Sequence, residues 1–213
     1  MDVVIAGGHG KIALHLERIL ADSGHRVSAL IRQRDHDSDV REAGAEPVLC
    51  DLEREDDMVH CVEGADAVVF AAGAGPGSGP ERKRTVDLGG AVKLIDAARR
   101  AGVKRYVIVS SIGADDPSGA PEQMRPYLEA KAEADKRVAE SGLDWTIVRP
   151  GSLTDDPGTG LVTVTDDMSA RGQVPREDVA RVLAGALGDP SSIGKTFVVI
   201  GGDTPVDEAV AAL

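Results

Sequence analysis

Two constellations in this chain have the residue types and spacing to do chemistry. The first is the run Gly7-Gly8-His9-Gly10-Lys11-Ile12-Ala13, which follows the apolar, β-branched Val3-Val4-Ile5 and opens a segment of helical periodicity. A helix N-terminus presents unpaired backbone N–H groups and the positive end of the helix dipole, so it stabilises an anion if the backbone can come close. Glycine permits that approach, and Ala13 is small enough for the helix to pack near its strand. Both Gly7-x-x-Gly10-x-x-Ala13 and the shorter Gly8-x-Gly10-x-x-Ala13 fit a dinucleotide pyrophosphate. The next strand ends in Ile31-Arg32, with Arg34 two residues on. Arginine there suits the 2′-phosphate of NADP(H), whereas an acidic residue would suit the ribose hydroxyl of NAD(H). The expected cofactor is NADP(H), with NAD(H) second; Asp35 and Asp37 weaken the local positive field.

The second constellation is Tyr127 and Lys131, spaced i, i+4 and therefore on one face of a helix. A phenol titrates near pH ~10 and is a poor base at neutrality, but an ammonium and an oxidised nicotinamide both favour its phenolate. Such a pair supports proton transfer coupled to hydride transfer at a carbonyl carbon.

These groups need a scaffold that brings several strand ends to one edge. Apolar, β-branched runs alternate with helix-period segments, the pattern of successive βαβ units. Seven strands are expected: Val3–Ile5, Arg26–Ile31, Glu46–Cys50, Ala67–Ala71, Lys104–Val109, Asp144–Val148 and Thr196–Ile200. Ile12, Leu16, Ile19 and Leu20 form one stripe of a first helix ending near Ser23-Gly24, and further helices are expected over about 88–101, 126–141 and 176–187. The fold class is α/β, a Rossmann-type, doubly wound, mainly parallel seven-stranded sheet with helices on both faces. Residues 1–213 would form a single domain with a small substrate-side portion at about 151–175. The stretch from Ala71 to Pro80 and that from Gly151 to Gly172 read as irregular connections. Both follow strand C-termini, where open α/β sheets bind ligands.

Jointly these motifs resemble the atypical short-chain dehydrogenases/reductases, in particular the NAD(P)-binding, NmrA-like and epimerase/dehydratase-like members. The resemblance spans nearly the whole chain. It is carried by the glycine turn, Asp51-Leu52, Ala71-Ala72-Gly73, Ser110-Ser111-Ile112-Gly113, Tyr127-Leu128-Glu129-Ala130-Lys131 and Thr146-Ile147-Val148-Arg149-Pro150-Gly151. It implies that Asp51 and Leu52 hold adenine, that Ala71, Ala72 and Gly73 line the ribose, and that Pro150, Gly151, Ser152 and Leu153 lie beside nicotinamide. Ser110 also belongs with the cofactor contacts. Lys131 would touch the nicotinamide ribose while tuning Tyr127, and a serine would hold the substrate oxygen. That serine is Ser111 in one register, while a register one later falls on Ile112. Asp87 stands where the family often has asparagine in its catalytic tetrad. The implied activity is hydride transfer between NADPH and a small carbonyl, quinone or flavin-like acceptor. The alternatives are a non-catalytic NADP(H) sensor, for which Asp87 speaks, and an epimerase or dehydratase.

Composition narrows the partners. A net charge of −12, with two tyrosines, two phenylalanines and one tryptophan, disfavours nucleic acid. No run approaches the ~18 apolar residues of a membrane span, and Met1-Asp2-Val3 leads directly into a strand pattern without a signal-like segment. The expectation is a cytoplasmic protein without a membrane partner, monomeric or weakly homodimeric, acting on a small molecule. Cys50 and Cys61 lack zinc-type spacing and read as buried thiols. His15, His25, His36 and His60 form no ligand set, and the acidic run from Asp51 to Asp57 reads as solvated helix starts, so no metal is expected.

Overall fold

The computed structural model describes residues 1–75 and 77–213; Pro76, in the Gly-Pro connection, lies outside the described residues. In chain order the elements are β1 (Asp2–Ala6), α1 (Lys11–Asp22), β2 (Arg26–Ile31), α2 (Asp37–Glu42), β3 (Glu46–Leu49), α3 (Val59–Val62), β4 (Ala67–Phe70), α4 (Pro80–Arg82) and α5 (Ala91–Ala101). They continue with β5 (Arg105–Val109), α6 (Arg125–Ala139), β6 (Asp144–Pro150), β7 (Ser152–Thr154), β8 (Leu161–Thr165), β9 (Gln173–Pro175), α7 (Arg176–Gly188), β10 (Lys195–Gly201), β11 (Thr204–Pro205) and α8 (Val206–Ala211).

The seven expected strands are all present; the central ones are apolar runs buried on both faces, whereas β3, at the edge, is half-buried or exposed throughout. They pair in parallel in the order β3-β2-β1-β4-β5-β6-β10. Alternation along β1 shows how the sheet divides the core. Val3 and Ile5 pack with Leu16 of α1 and Leu183 of α7 on one face. Val4 and Ala6 pack with Leu94 of α5 and Val138 of α6 on the other. Each fully buried aliphatic side chain contributes about 1.5–3 kcal/mol.

The sheet has nine strands rather than the expected seven. β8 and β11 extend it beyond β10, both antiparallel contacts being centred on β8. The segment from Gly151 to Gly172, expected to be irregular, therefore contains β8, and its first residues form β7, which pairs with β9 in a small second sheet. The cause lies in Leu161-Val162-Thr163-Val164-Thr165, where Val162 is buried and its neighbours face outward. One fully buried valine, with Val164 half-buried on the same face, suffices when the turn before it is held. Here the buried carboxylate of Asp178, in the first turn of α7, accepts from the Thr159 and Gly160 N–H groups at 2.9 and 2.8 Å.

A second difference concerns the helix expected from residue 88. The helical path starts at Pro80, passes through a π-helical stretch over Lys83–Gly90 and continues as α5. The wider turn carries Asp87 into the protein interior, where it is wholly buried.

Candidate functional site

β1 pairs with β2 on one side and β4 on the other, so the chain reverses its winding direction at β1, the switch point where open α/β sheets form a crevice. The glycine turn leaves β1 at that crevice. Gly7 has φ +82°, and a Cβ there would stand 2.6 Å from the Ala72 Cα, so the close passage of the two strand ends requires glycine. Gly8 is buried and its N–H donates to the Leu30 carbonyl at 3.0 Å. The Gly10 N–H donates to Gly7 at 2.8 Å, and Gly10 adopts extended backbone before α1 without a side-chain cap. The N–H groups of Lys11, Ile12 and Ala13 have no acceptor among the described residues and stay free for an anion.

From this turn three adjoining clefts run along the sheet edge. The first, about 280 Å3, is lined by Gly7, His9, Gly10, Arg32, Asp51, Leu52 and the Ala71-Ala72-Gly73 segment. The structure thus gathers nearly all the expected adenosine-side residues. Arg32 makes no ion pair among the described residues, while Arg34 is drawn off to Asp37 at 3.7 Å. Lys11 projects away from the turn; its ammonium meets Asp155 at 2.5 Å, and Asp155 also accepts from Arg176 at 2.6 Å. Cys50 and Cys61 are buried free thiols.

The second cleft, about 560 Å3, shares Ala71 to Gly75 with the first and is lined further by Ile12, Asp87, Ser110, Tyr127, Lys131 and Leu153. Lys131 is almost wholly buried. Its ammonium donates to the Val109 carbonyl at 3.0 Å, lies 3.3 Å from Asp87 Oδ1 and stands 5.9 Å from the Tyr127 ring centre. Burial opposes this ammonium, but the Tyr127 oxygen, Asp87 and Asp135 outweigh it and hold its pKa above the ordinary lysine value. Asp87 Oδ2 in turn accepts from the Ala74 N–H at 3.0 Å, fastening the start of the Gly-Pro connection.

Two residues that the sequence did not single out complete this end. Asp135, one helical turn beyond Lys131, accepts from Ser110 Oγ at 2.9 Å and from Arg149 Nε and Nη2 at 3.1 and 2.9 Å. Burial pushes the Asp135 carboxyl upward in pKa, against Arg149, Ser110 and Lys131. The i, i+4 spacing of Lys131 and Asp135 on a helix with buried charge was the available signal. The result is a buried network of two cations and two anions, joined at its rim by Asp115, 3.6 Å from Arg149 Nη1.

The third cleft, about 730 Å3, contains Ser111, Ile112, Gly151 and Ser152, and shares Met124 and Leu153 with the second. Ser110 is therefore the serine in the cleft of Tyr127, while the Ser111 hydroxyl donates to the Ile112 carbonyl at 3.1 Å and faces the third cleft. Pro150 lies buried within β6, and its carbonyl accepts from the Ile112 N–H at 3.2 Å.

A glycine turn without a cap at a sheet switch point, opening on an elongated cleft with an unpaired arginine at one end and a Tyr-Lys pair at the other, defines a dinucleotide-binding Rossmann protein. Comparison with known proteins agrees: the chain belongs to the NAD(P)H-binding family, whose pattern matches residues 7–190, within the atypical short-chain dehydrogenase/reductase and epimerase-like group. It is 37% identical to YhfK of Bacillus subtilis, named an uncharacterized sugar epimerase, over 100% of both chains. Among solved structures, a Bacillus halodurans protein described as of NAD-dependent epimerase/dehydratase type superposes with a TM-score of 0.96 at 42% identity, covering 100% of each chain. The oxidoreductase ylbE of Lactococcus lactis gives 0.85 at 30% identity, covering 100% of this chain and 96% of that one. Among the described residues no helix is long and apolar enough to cross a membrane.

Proposed function

We propose that this chain is an NADP(H)-dependent reductase of a small carbonyl, quinone or flavin-like acceptor. The observation that carries the reading is the continuity of the first two clefts through Ala71 to Gly75, which puts Tyr127 and Lys131 at the far end of a groove that begins on the glycine turn. A nucleotide lying along that groove would be held at its pyrophosphate by the free N–H groups of Lys11, Ile12 and Ala13, and at its adenosine end by Arg32, Asp51 and Leu52. Arg32, which has no ion pair among the described residues, supports NADP(H) over NAD(H).

NADPH, when bound, would supply a hydride, to the carbon of a carbonyl or to the ring system of a quinone or flavin; for a carbonyl acceptor the proton comes from the protein. Tyr127 gives its hydroxyl proton to the acceptor oxygen as the alcohol forms, and the Lys131 ammonium beside it stabilises the phenolate that remains. Asp87 and Asp135 keep that ammonium charged in a buried site. The third cleft, meeting the second at Met124 and Leu153, is where the rest of the acceptor would lie.

The test is a panel containing benzaldehyde, benzoquinone and free FMN, followed as loss of NADPH, with sugar nucleotides assayed alongside. Stoichiometric NADPH oxidation with a member of the first set supports the reductase. Interconversion of sugar epimers without net cofactor loss would replace it by the epimerase reading that the relatives' names suggest. Tight NADPH binding with no turnover of any compound would replace it by a sensor.

A further inference from the structure

The first cleft carries a feature that its general role does not require. His9 of the glycine turn and His36, just before α2, stack with ring centres 3.6 Å apart and planes inclined by 9°. Both rings line the same cleft as Arg32. We propose that the stacked His9–His36 pair, together with Arg32, is a proton-linked reader of the adenosine 2′-phosphate, so that preference for NADP(H) over NAD(H) strengthens as the pair gains a proton. This rests on the nucleotide reading above and adds to it the residues and conditions that set cofactor choice.

The surrounding charges make the proton necessary. Among the described residues Arg32 is the guanidinium at this end without an ion pair. Facing the stack are Asp39 and Asp35, Asp51 and Glu53 line the same cleft, and Arg82 is committed to Glu53 at 3.2 Å. A dianionic phosphate entering among these carboxylates meets one unpaired cation, and an imidazolium would supply a second. The hydrogen bonds already point that way. His9 Nε2 is anchored 2.7 Å from Asp39 Oδ2, which orients the ring and leaves Nδ1 as its second donor position. His36 Nε2 lies 3.1 Å from the Gln33 side-chain nitrogen. With the Gln33 NH2 turned to the ring, His36 Nε2 is the acceptor of this contact. Rotation of the Gln33 amide would present its oxygen and accept from a protonated ring. Burial, followed by the nearby His9 and Arg32, holds the His36 pKa below the ordinary histidine value. Two parallel imidazoliums at this distance would repel, so one proton shared by the pair is the expected charge.

The sign follows from linkage. A phosphate anion favours the charged imidazole, so binding takes up a proton and tightens as pH falls through the histidine range. The phosphate's own second ionisation near pH ~6 limits the effect from below.

The experiment is calorimetric titration of the whole protein with 2′,5′-ADP and with 5′-ADP, at about pH 8 and about pH 6.5, in buffers of differing ionisation heat. The expected result is a rise of about 5–10-fold in affinity for 2′,5′-ADP on acidification, with uptake of a fraction of a proton, and little change for 5′-ADP. In His36→Gln and in His9→Gln the ligand's own ionisation remains while the excess dependence disappears, with circular dichroism confirming the fold. Equal pH dependence of the two nucleotides, or dependence unaltered in both variants, would overturn the proposal and leave the nucleotide site standing. Failure of NADPH and both nucleotides to bind at all would overturn the underlying reading as well.

Discussion

The two ends of the groove are built on opposite principles. The glycine-turn end is made from backbone: free N–H groups at the start of α1 and exposed side chains such as Arg32 that keep their hydration. The Tyr127 end is made from buried charge, with Lys131 and Arg149 ion-paired to Asp87 and Asp135, although Asp87 Oδ1 and Asp135 Oδ1 have no hydrogen-bond partner among the described residues. An open site loses little when one side chain changes, because water replaces it. A buried network loses much, because removing one ion strands its partner in a medium that cannot solvate it.

That contrast sets the ranking of expected effects. Lys131→Met leaves Asp87 without its cation and should cost about 3–5 kcal/mol of stability; most of this should return in the double variant with Asp87→Asn, measured by urea denaturation. A failure of the double variant to recover would mean that the ion pair is not the unit that the geometry suggests.

A buried carboxyl outside the groove sharpens the comparison, since Glu17 of α1 is wholly buried and neither of its oxygens has a hydrogen-bond partner among the described residues. Burial pushes its pKa up to about 8, with Arg18 opposing weakly. The folded protein therefore holds a proton here that the unfolded chain releases above the ordinary glutamate range. Stability from this group is full below that range and falls as pH rises toward 8, levelling off beyond. Glu17→Gln should remove this slope and raise stability near pH 8, by an amount on the order of 3 kcal/mol, as read from melting curves across pH.

At the turn itself, Gly7→Ala should cost about 2 kcal/mol through positive φ and the clash with Ala72, and should weaken NADPH binding in proportion to how far the turn shifts. Smallest of all, Asp155→Asn breaks the exposed contacts to Lys11 and Arg176, and its melting temperature should match that of the parent within error. A clear loss there would erase the distinction between open and buried ends.

The same contrast explains what could be read from sequence. Glycine spacing and the β-branched runs are local signals with local causes, so the parallel strands and the cleft at the glycine turn were legible. β8 was not, because its one buried valine is selected by Asp178 from a distant helix. Nor was the choice between Ser110 and Ser111, since successive residues at a strand end face opposite sides and one step of register exchanges them. Asp135 and Arg149 are far apart in the chain and acquire meaning only when α6 packs on β6. Asp87 was visible as a residue, but its burial depends on a π-helical turn that no simple periodicity announces.

The central claim is that binding resides at one end of the groove and proton transfer at the other. Tyr127→Phe tests it most directly, by fluorescence titration with NADPH and by the single-turnover rate of NADPH oxidation with the best acceptor of the panel. The account predicts an affinity within about twofold of the parent and a rate lowered by roughly a hundredfold or more. Retention of the rate, or loss of affinity in step with it, would contradict the division of labour.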